Sequence, residues 1–542
     1  MSAWRRAVPW FACALSLLDC GARSDLLPGQ VAGGRAGEAT QPTGGKDPGG
    51  GGRAGGSQGG AQTQGGAGSG GEGMSAVGGS VESGGQGGVS GQAGAGGATG
   101  GQGGAPVCGN GLVEGNETCD DGNQSSGDGC KACVGVVSVL AGGSHTCAFL
   151  SDGSLRCWGD NYYGQLGRED TANRGDNPAE LGDALPALDL GGSATQVSAF
   201  FLHSCALLGG GVVKCWGNNY DGQLGLGDQN DRGDQAGEMG ANLPAVDLAG
   251  TAIAVSAGAY HSCALLEGGS VRCWGSSDLG QLGLGDVLTR GDGANEMGAN
   301  LPAVDLSGDV VAVSAGLFHT CALLEGGIVK CWGNNANGEL GTGDTDRPGD
   351  EPGEMGSNLL PIDLDGVASA VVAGWWHNCA LLVGGTVKCW GSNYYSQLGI
   401  GDTDDRGDQP GEMGQNLPAV DLGGNALALV AGSVHNCALM EGGSVKCWGA
   451  NDDGRLGLGD VNSRGDVASE MGDNLSPVDL GTGRSAIAIG MAGGAHCCAL
   501  LDNHTVKCWG FNASGQLGLG DVENRGDVPT ETGDFLPSVP IP

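Results

Sequence analysis

The motif His-x-Cys-Ala begins at His145, His203, His261, His319, His377 and His435, each 58 residues after the last, and again at His496 after 61. A fixed period of this size marks one supersecondary unit copied seven times, stable only when neighbouring copies stack. One copy shows its make-up: Ile253-Ala-Val-Ser-Ala-Gly, His261-Ser-Cys-Ala-Leu-Leu, Glu-Gly-Gly, Val271-Arg-Cys-Trp-Gly, a loop holding Gly280-Gln-Leu-Gly-Leu-Gly-Asp, and Leu301-Pro-Ala-Val-Asp-Leu. Each apolar run has strand length, each gap carries Gly, Asn or Asp, and no segment shows a sustained 3.6-residue apolar stripe. The expected fold is all-β: a seven-bladed β-propeller of four-stranded blades.

Every unit carries two cysteines ten residues apart: Cys147/Cys157, Cys205/Cys215, Cys263/Cys273, Cys321/Cys331, Cys379/Cys389, Cys437/Cys447 and Cys498/Cys508. If Glu267, Gly268 and Gly269 form a three-residue turn, Leu266 faces Ser270 and Cys263 faces Cys273. Opposed positions on antiparallel strands lie about 4.5–5.5 Å apart at Cα, within reach of a disulfide. Seven hairpin disulfides are therefore expected, and with them an oxidising compartment. A zinc site is excluded, because two thiolates per blade are half a ligand set and packed sheets stand about 10 Å apart. Cys497 is left over at a position that is Ser, Thr or Asn in the other units, and is expected to be a free thiol.

The series Gly-x-x-His, Trp-Gly, Asn-x-x-Gly-Gln-Leu-Gly, seen in Trp216-Gly-Asn-Asn-Tyr-Asp-Gly-Gln-Leu-Gly225, resembles the regulator of chromosome condensation repeat. That resemblance covers about Val136 to Pro542 and implies a seven-bladed propeller. It also implies a rival function, since the family's founding member promotes guanine nucleotide exchange through one face. Departures are local: Glu339 and Arg455 replace the Gln, Ser396 a Gly, and Phe200 the Gly that ends the first strand elsewhere.

Upstream of the repeats the chain changes character. Arg5 and Arg6 precede an apolar run from Ala7 to Leu18 that is too short to span a membrane and reads as an export signal, residues 1–20. Its end, Leu17-Leu18-Asp19-Cys20-Gly21, resembles a bacterial lipoprotein box with Cys20 as the lipidated residue, although Asp19 departs from the small residue expected there. Residues 21–106 are Gly-rich and nearly devoid of apolar side chains, which predicts a disordered tether. Residues 107–134 hold Cys108, Cys119, Cys130 and Cys133 among Gly, Asp and Asn, which predicts a small module stapled by two disulfides. It resembles the short cysteine-rich repeat that accompanies propeller modules in bacterial surface proteins. Residues 135–542 form the propeller.

The formal charge of −37 argues against nucleic acid and against electrostatic docking on a membrane, leaving an N-terminal lipid as the expected membrane attachment. No cofactor is expected, although acidic loops such as Asp228, Asp234 and Glu238 offer oxygen ligands for weak calcium binding. The repeated histidine is expected to hydrogen-bond within its own blade, and the tryptophan after each second cysteine to sit in the core. Arg-Gly-Asp recurs six times, from Arg174 to Asp527, as loop chemistry: Arg232 pairs with a nearby carboxylate and Gly233 makes a turn. Outside the repeats there is no nucleotide loop and no Ser/His/Asp pattern, so catalysis is not expected.

Function is sought where symmetry breaks. Just before the repeated histidine, units two to five carry Phe201, Tyr260, Phe318 and Trp375-Trp376. The first and third turns of an up-and-down blade share one face, which adds Tyr162, Tyr163, Tyr220, Tyr394 and Tyr395 from the loop after Trp-Gly and predicts all six tyrosines on one rim. Large amphipathic rings beside acidic loops suit a protein or glycan partner. The expected protein is a monomeric, non-enzymatic, exported or surface-anchored interaction module; a purely structural spacer is the further alternative.

Overall fold

A computed structural model of the chain describes residues 130–131, 134–491 and 493–541. The expected export segment with Cys20, the Gly-rich stretch, and Cys108, Cys119 and Cys133 of the small module lie outside them, as does the side chain of Cys130.

Seven antiparallel sheets follow one another along the chain. Their first strands are Val134–Ala141, Ala194–Ala199, Ala252–Ala257, Val310–Ala315, Ala368–Ala373, Ala426–Ala431 and Ala486–Gly490, and the sheets are called blades 1 to 7 in this order. In blade 3 the second strand is His261–Leu266 and the third Val271–Gly275. First strands of successive blades pack side by side, and that of blade 7 packs against that of blade 1, which closes the ring. Between first and second strands every blade carries the same one-residue register shift, as at Ala252/Ala254 in blade 3. Such a bulge bends and twists the strand. Blade 1 has an extra two-residue strand, Cys130–Lys131, paired with Val134–Gly135.

The expected fourth strand is reduced to a single contact. In blade 3 the N–H of Val304 donates to the Val271 carbonyl at 2.9 Å, and the equivalent bond recurs in each blade. The segment holds a proline one to two residues earlier, Pro302 in this copy and Pro361 in blade 4. Proline has no N–H to give, so the ladder cannot propagate.

The cysteine register is as the hairpin argument requires, with Cys263 directly facing Cys273. In chain order the bonded pairs are Cys147–Cys157, Cys205–Cys215, Cys263–Cys273 and Cys321–Cys331, then Cys379–Cys389, Cys437–Cys447 and Cys498–Cys508. Their Cα separations of 4.0–4.1 Å are shorter than the spacing expected of opposed positions, so the strands draw together at each bridge. The third-strand members Cys157, Cys215, Cys273, Cys331, Cys389, Cys447 and Cys508 are all buried in the apolar clusters between blades. They act as structural staples and present no surface to a ligand. Cys497 is free and fully buried. Each blade-to-blade interface is filled by the next blade's tryptophan. Trp216, for example, packs with Leu140, Leu155 and Leu166 of blade 1.

Candidate interaction face

The ring is held by a polar device at the blade junctions, and it corrects the expected role of the histidines. The imidazole does not bond within its own blade. His145 Nε2 lies 2.8 Å from Ser204 Oγ of blade 2, and Ser204 Oγ donates in turn to the Gln165 carbonyl of blade 1. The same carbonyl accepts the Trp216 indole N–H at 2.9 Å. The pattern repeats at His203–Ser262, His261–Thr320, His319–Asn378 and His377–Asn436. It also closes the ring, where Thr146 Oγ1 meets His496 Nε2 and the Gln516 carbonyl, both at 2.8 Å. The position after each histidine is Ser, Thr or Asn in six units. That was the available signal, but a bond between copies leaves no trace in local periodicity.

Direction follows from chemistry. Asn378 Nδ2 donates to the Glu339 carbonyl, so Oδ1 must accept from His319, and the proton sits on Nε2. Burial keeps these rings neutral, pushing His145, His319 and His377 down to about 4 and His203, His261 and His496 to about 3. Equivalent rings of different blades do not converge on one ion. Among the described residues no group of three or more His, Cys, Asp or Glu side chains is placed to hold a metal.

One face carries the symmetry-breaking aromatics. The residue before each histidine accepts a hydrogen bond from the residue after Trp-Gly, as Leu202 does from Asn218 at 2.9 Å and Trp376 from Ser392 at 2.7 Å. The first turn and the third loop therefore do share a face. On it the rings of blades 2 to 5 meet. Tyr260 stacks on Phe318 at 5.3 Å, Phe201 lies edge-on to Tyr260 at 6.1 Å, and Trp375 and Trp376 stand edge to face at 5.1 Å. Phe201 also reaches Trp375, 6.2 Å away on a non-adjacent blade, so the cluster lies over the middle of the ring. Phe200 and Leu317 lie buried in it, which gives the departure at Phe200 a structural reason. Trp375 is only 5% exposed, whereas Phe201, Tyr260, Phe318 and Trp376 are partly buried. These five residues thus make an aromatic cap, not an open rim.

The tyrosines divide. Tyr260 belongs to the cap. Tyr162, Tyr220 and Tyr394 stand 69%, 73% and 76% exposed on the surrounding loops, with Tyr163 and Tyr395 edge-on to their neighbours. Beside Tyr394 a groove of about 600 Å³ runs between the loops of blades 4 and 5, lined also by Asp404, Asp405, Asp408 and Glu412. Burial raises the Asp405 carboxyl above its ordinary range, and repulsion from Asp408, Glu412 and Asp404 raises it further. A cation placed there would relieve that repulsion.

The Arg-Gly-Asp segments behave as loop chemistry. Arg232 binds Asp228 at 2.7 Å and the carbonyls of Asn230 and Asp231, and the other five arginines do likewise. Gly233, at φ +92°, donates its N–H to Glu238.

A ring of seven disulfide-bonded blades, with His-Ser/Thr/Asn pairs at six of its junctions and an aromatic cap on one face, defines a seven-bladed propeller. The chain belongs to the RCC1-like domain family: residues 195–538 match that domain, and residues 136–165 match a Regulator of chromosome condensation (RCC1) repeat. Residues 105–134 match a domain of unknown function, DUF4215. The chain is 31% identical over 335 residues to the ultraviolet-B receptor UVR8 of Arabidopsis thaliana, covering 60% of this chain and 67% of that protein. It is 28% identical over 352 residues to protein pim1 of Schizosaccharomyces pombe, covering 60% and 61%. The match to the probable E3 ubiquitin-protein ligase HERC6 of Homo sapiens is 31% identical and spans 27% of that protein. Among solved structures, yeast RCC1 (Prp20) bound to Kap60 superposes with a TM-score of 0.50 at 20% identity, over 73% of this chain and 84% of that one. At that identity the likeness is one of fold.

Proposed function

We propose that this protein is a non-enzymatic, exported binding module that holds a protein partner on the capped face. The observation that carries the reading is the break in symmetry: six aromatic side chains of blades 2 to 5 converge over the ring, with exposed tyrosines and carboxylates around them, in a molecule whose units otherwise repeat closely. Rigid rings supply contact area at low entropic loss. The acidic groove beside Tyr394 favours a basic segment of the partner, because lysine and arginine can meet carboxylate and ring face together. Yeast RCC1, a propeller of the same fold, was solved with a protein bound.

Seven hairpin disulfides support an oxidising compartment, and no helix among the described residues is long and apolar enough to cross a membrane. Guanine nucleotide exchange finds no support in such a compartment, where its GTPase substrate is not expected. A glycan partner and a plain spacer are the alternatives that the test must separate.

The test is affinity capture with the full chain, compared with the variant Tyr220→Ser/Tyr394→Ser/Trp376→Ser. Val383→Ser is the control, since Val383 is 71% exposed on the opposite, second-turn face. Saturable retention of one protein by wild type and by the control, and its loss in the triple variant, is expected. Retention by all three chains removes the face from consideration, retention of glycan alone selects the carbohydrate reading, and no saturable ligand selects the spacer.

A further inference from the structure

Six of the seven blade junctions carry the His-Ser/Thr/Asn lock, and the junction between blades 6 and 7 does not. There Cys497 stands where the hydroxyl or amide should be, and Arg455 stands in place of the glutamine. Among the described residues His435 Nε2 and Trp509 Nε1 have no hydrogen-bond partner, although both side chains are 0% exposed. At the other six junctions both groups are satisfied. Ser433 Oγ and Arg455 Nε are likewise buried without partners among the described residues, in the same quarter of the ring.

Apolar packing is not reduced at this junction. Val430, Leu456, Val478, Ile489, Met491 and Trp509 form one continuous cluster across it. What is missing is the pair of buried His and Trp hydrogen bonds, while backbone bonds such as Gly459 to the Gly526 carbonyl and Gly533 to the Asp479 carbonyl remain. Blades 2 to 5 carry a second set of bonds as well: Ser198, Ser256 and Ser314 Oγ accept the N–H groups of Ala257, Ala315 and Ala373, each at 3.0 Å. The residue matching these serines in blade 6 is Val430. The ring therefore grades from a doubly locked side under the aromatic cap to one junction without locks.

We infer that the propeller opens between blades 6 and 7, inside the chain, and not where its two ends meet. The ends are sealed: Thr146 holds His496, and Trp158 donates to the Gln516 carbonyl at 3.0 Å. On opening, blade 7 stays with blade 1 and remains tied to blade 6 through residues 480–486. Each buried donor left without an acceptor shifts the closed-to-open ratio by roughly ten-fold, so two donors favour this junction by roughly a hundred-fold. Opening also bares the Cys497 thiol, which burial holds protonated and unreactive in the closed ring.

Each junction has a reporter amide. Gly533 donates to the Asp479 carbonyl between blades 6 and 7, Gly356 to Asp305 between blades 3 and 4, and Gly182 to Pro540 where the ends meet. Native hydrogen exchange on the full chain should show Gly533 exchanging on the order of a hundred-fold faster than Gly356. Iodoacetamide should alkylate Cys497 at the same opening rate without denaturant. The variant Cys497→Thr/Arg455→Gln rebuilds the lock and should slow Gly533 to the rate of Gly356. Should that variant not fold, Thr320→Ala strips the lock from the 3/4 junction and should speed Gly356 instead. Equal exchange at Gly533 and Gly356 in wild type, or fastest exchange at Gly182, overturns the inference.

Discussion

Thr146 and His496 are 350 residues apart in the chain, yet Thr146 Oγ1 lies 2.8 Å from His496 Nε2. The two ends of the ring meet through the same bond that joins internal neighbours, so closure needs no strand exchanged between the termini. Thr146→Val keeps the shape, orphans His496 Nε2 and deprives Gln516 of one donor. A loss of about 1–3 kcal/mol is expected. In urea the midpoint should fall with the slope unchanged; a midpoint equal to wild type would show that closure rests on apolar packing alone.

Glu339 occupies a position that is Gln in five other blades, and burial raises its carboxyl to about 7, with Asp405 adding to the rise. Because the folded value stands above the unfolded value of about 4.5, the native state holds a proton that the unfolded chain has already released. Stability therefore falls as pH rises from 4.5 through 7, by up to about 3 kcal/mol. Glu339→Gln should be more stable than wild type at pH 8 and indistinguishable from it at pH 4. Parallel stability curves for the two proteins would contradict the assignment.

Gly275 ends the Trp-Gly pair of blade 3 at φ +106°, and a Cβ there would lie 2.5 Å from the Tyr260 carbonyl. Gly275→Ala meets both a conformation that side chains avoid and a backbone atom that cannot yield. The expected loss is about 1–3 kcal/mol, with increased exposure of the cap because Tyr260 must shift. Quenching of the tryptophan pair by acrylamide reports that movement, and unchanged quenching would separate the loop from the cap.

Each disulfide closes a short hairpin, and removing one, as in Cys263→Ala/Cys273→Ala, should cost about 3 kcal/mol by the chain-entropy estimate. Peptide mapping after alkylation of the unfolded, unreduced chain should find Cys497 as the one modified cysteine among residues 134–491 and 493–541. Alkylation at any of the seven hairpin pairs would refute the pairing.

What could be seen in the sequence was local. The period counted the blades, the spacing of Cys263 and Cys273 placed them opposite each other on one hairpin, and turn parity put Tyr220 and Phe201 on the same face. What escaped depended on contacts between copies. His145 reaches Ser204 across a blade boundary, and Phe201 reaches Trp375 across the ring. The fourth strand failed for a local reason that was visible, the proline in Leu301-Pro-Ala-Val, which strand-length counting passed over.

The aromatic cap has a consequence for stoichiometry. Seven near-identical blades would offer a docking partner seven equivalent rotational settings, and a bound state smeared over all of them. Because the rings of Phe201, Tyr260, Phe318 and Trp376 come from blades 2 to 5 alone, the face has a single bearing, like a compass with one needle. A partner that seats on it does so once per ring and in one orientation.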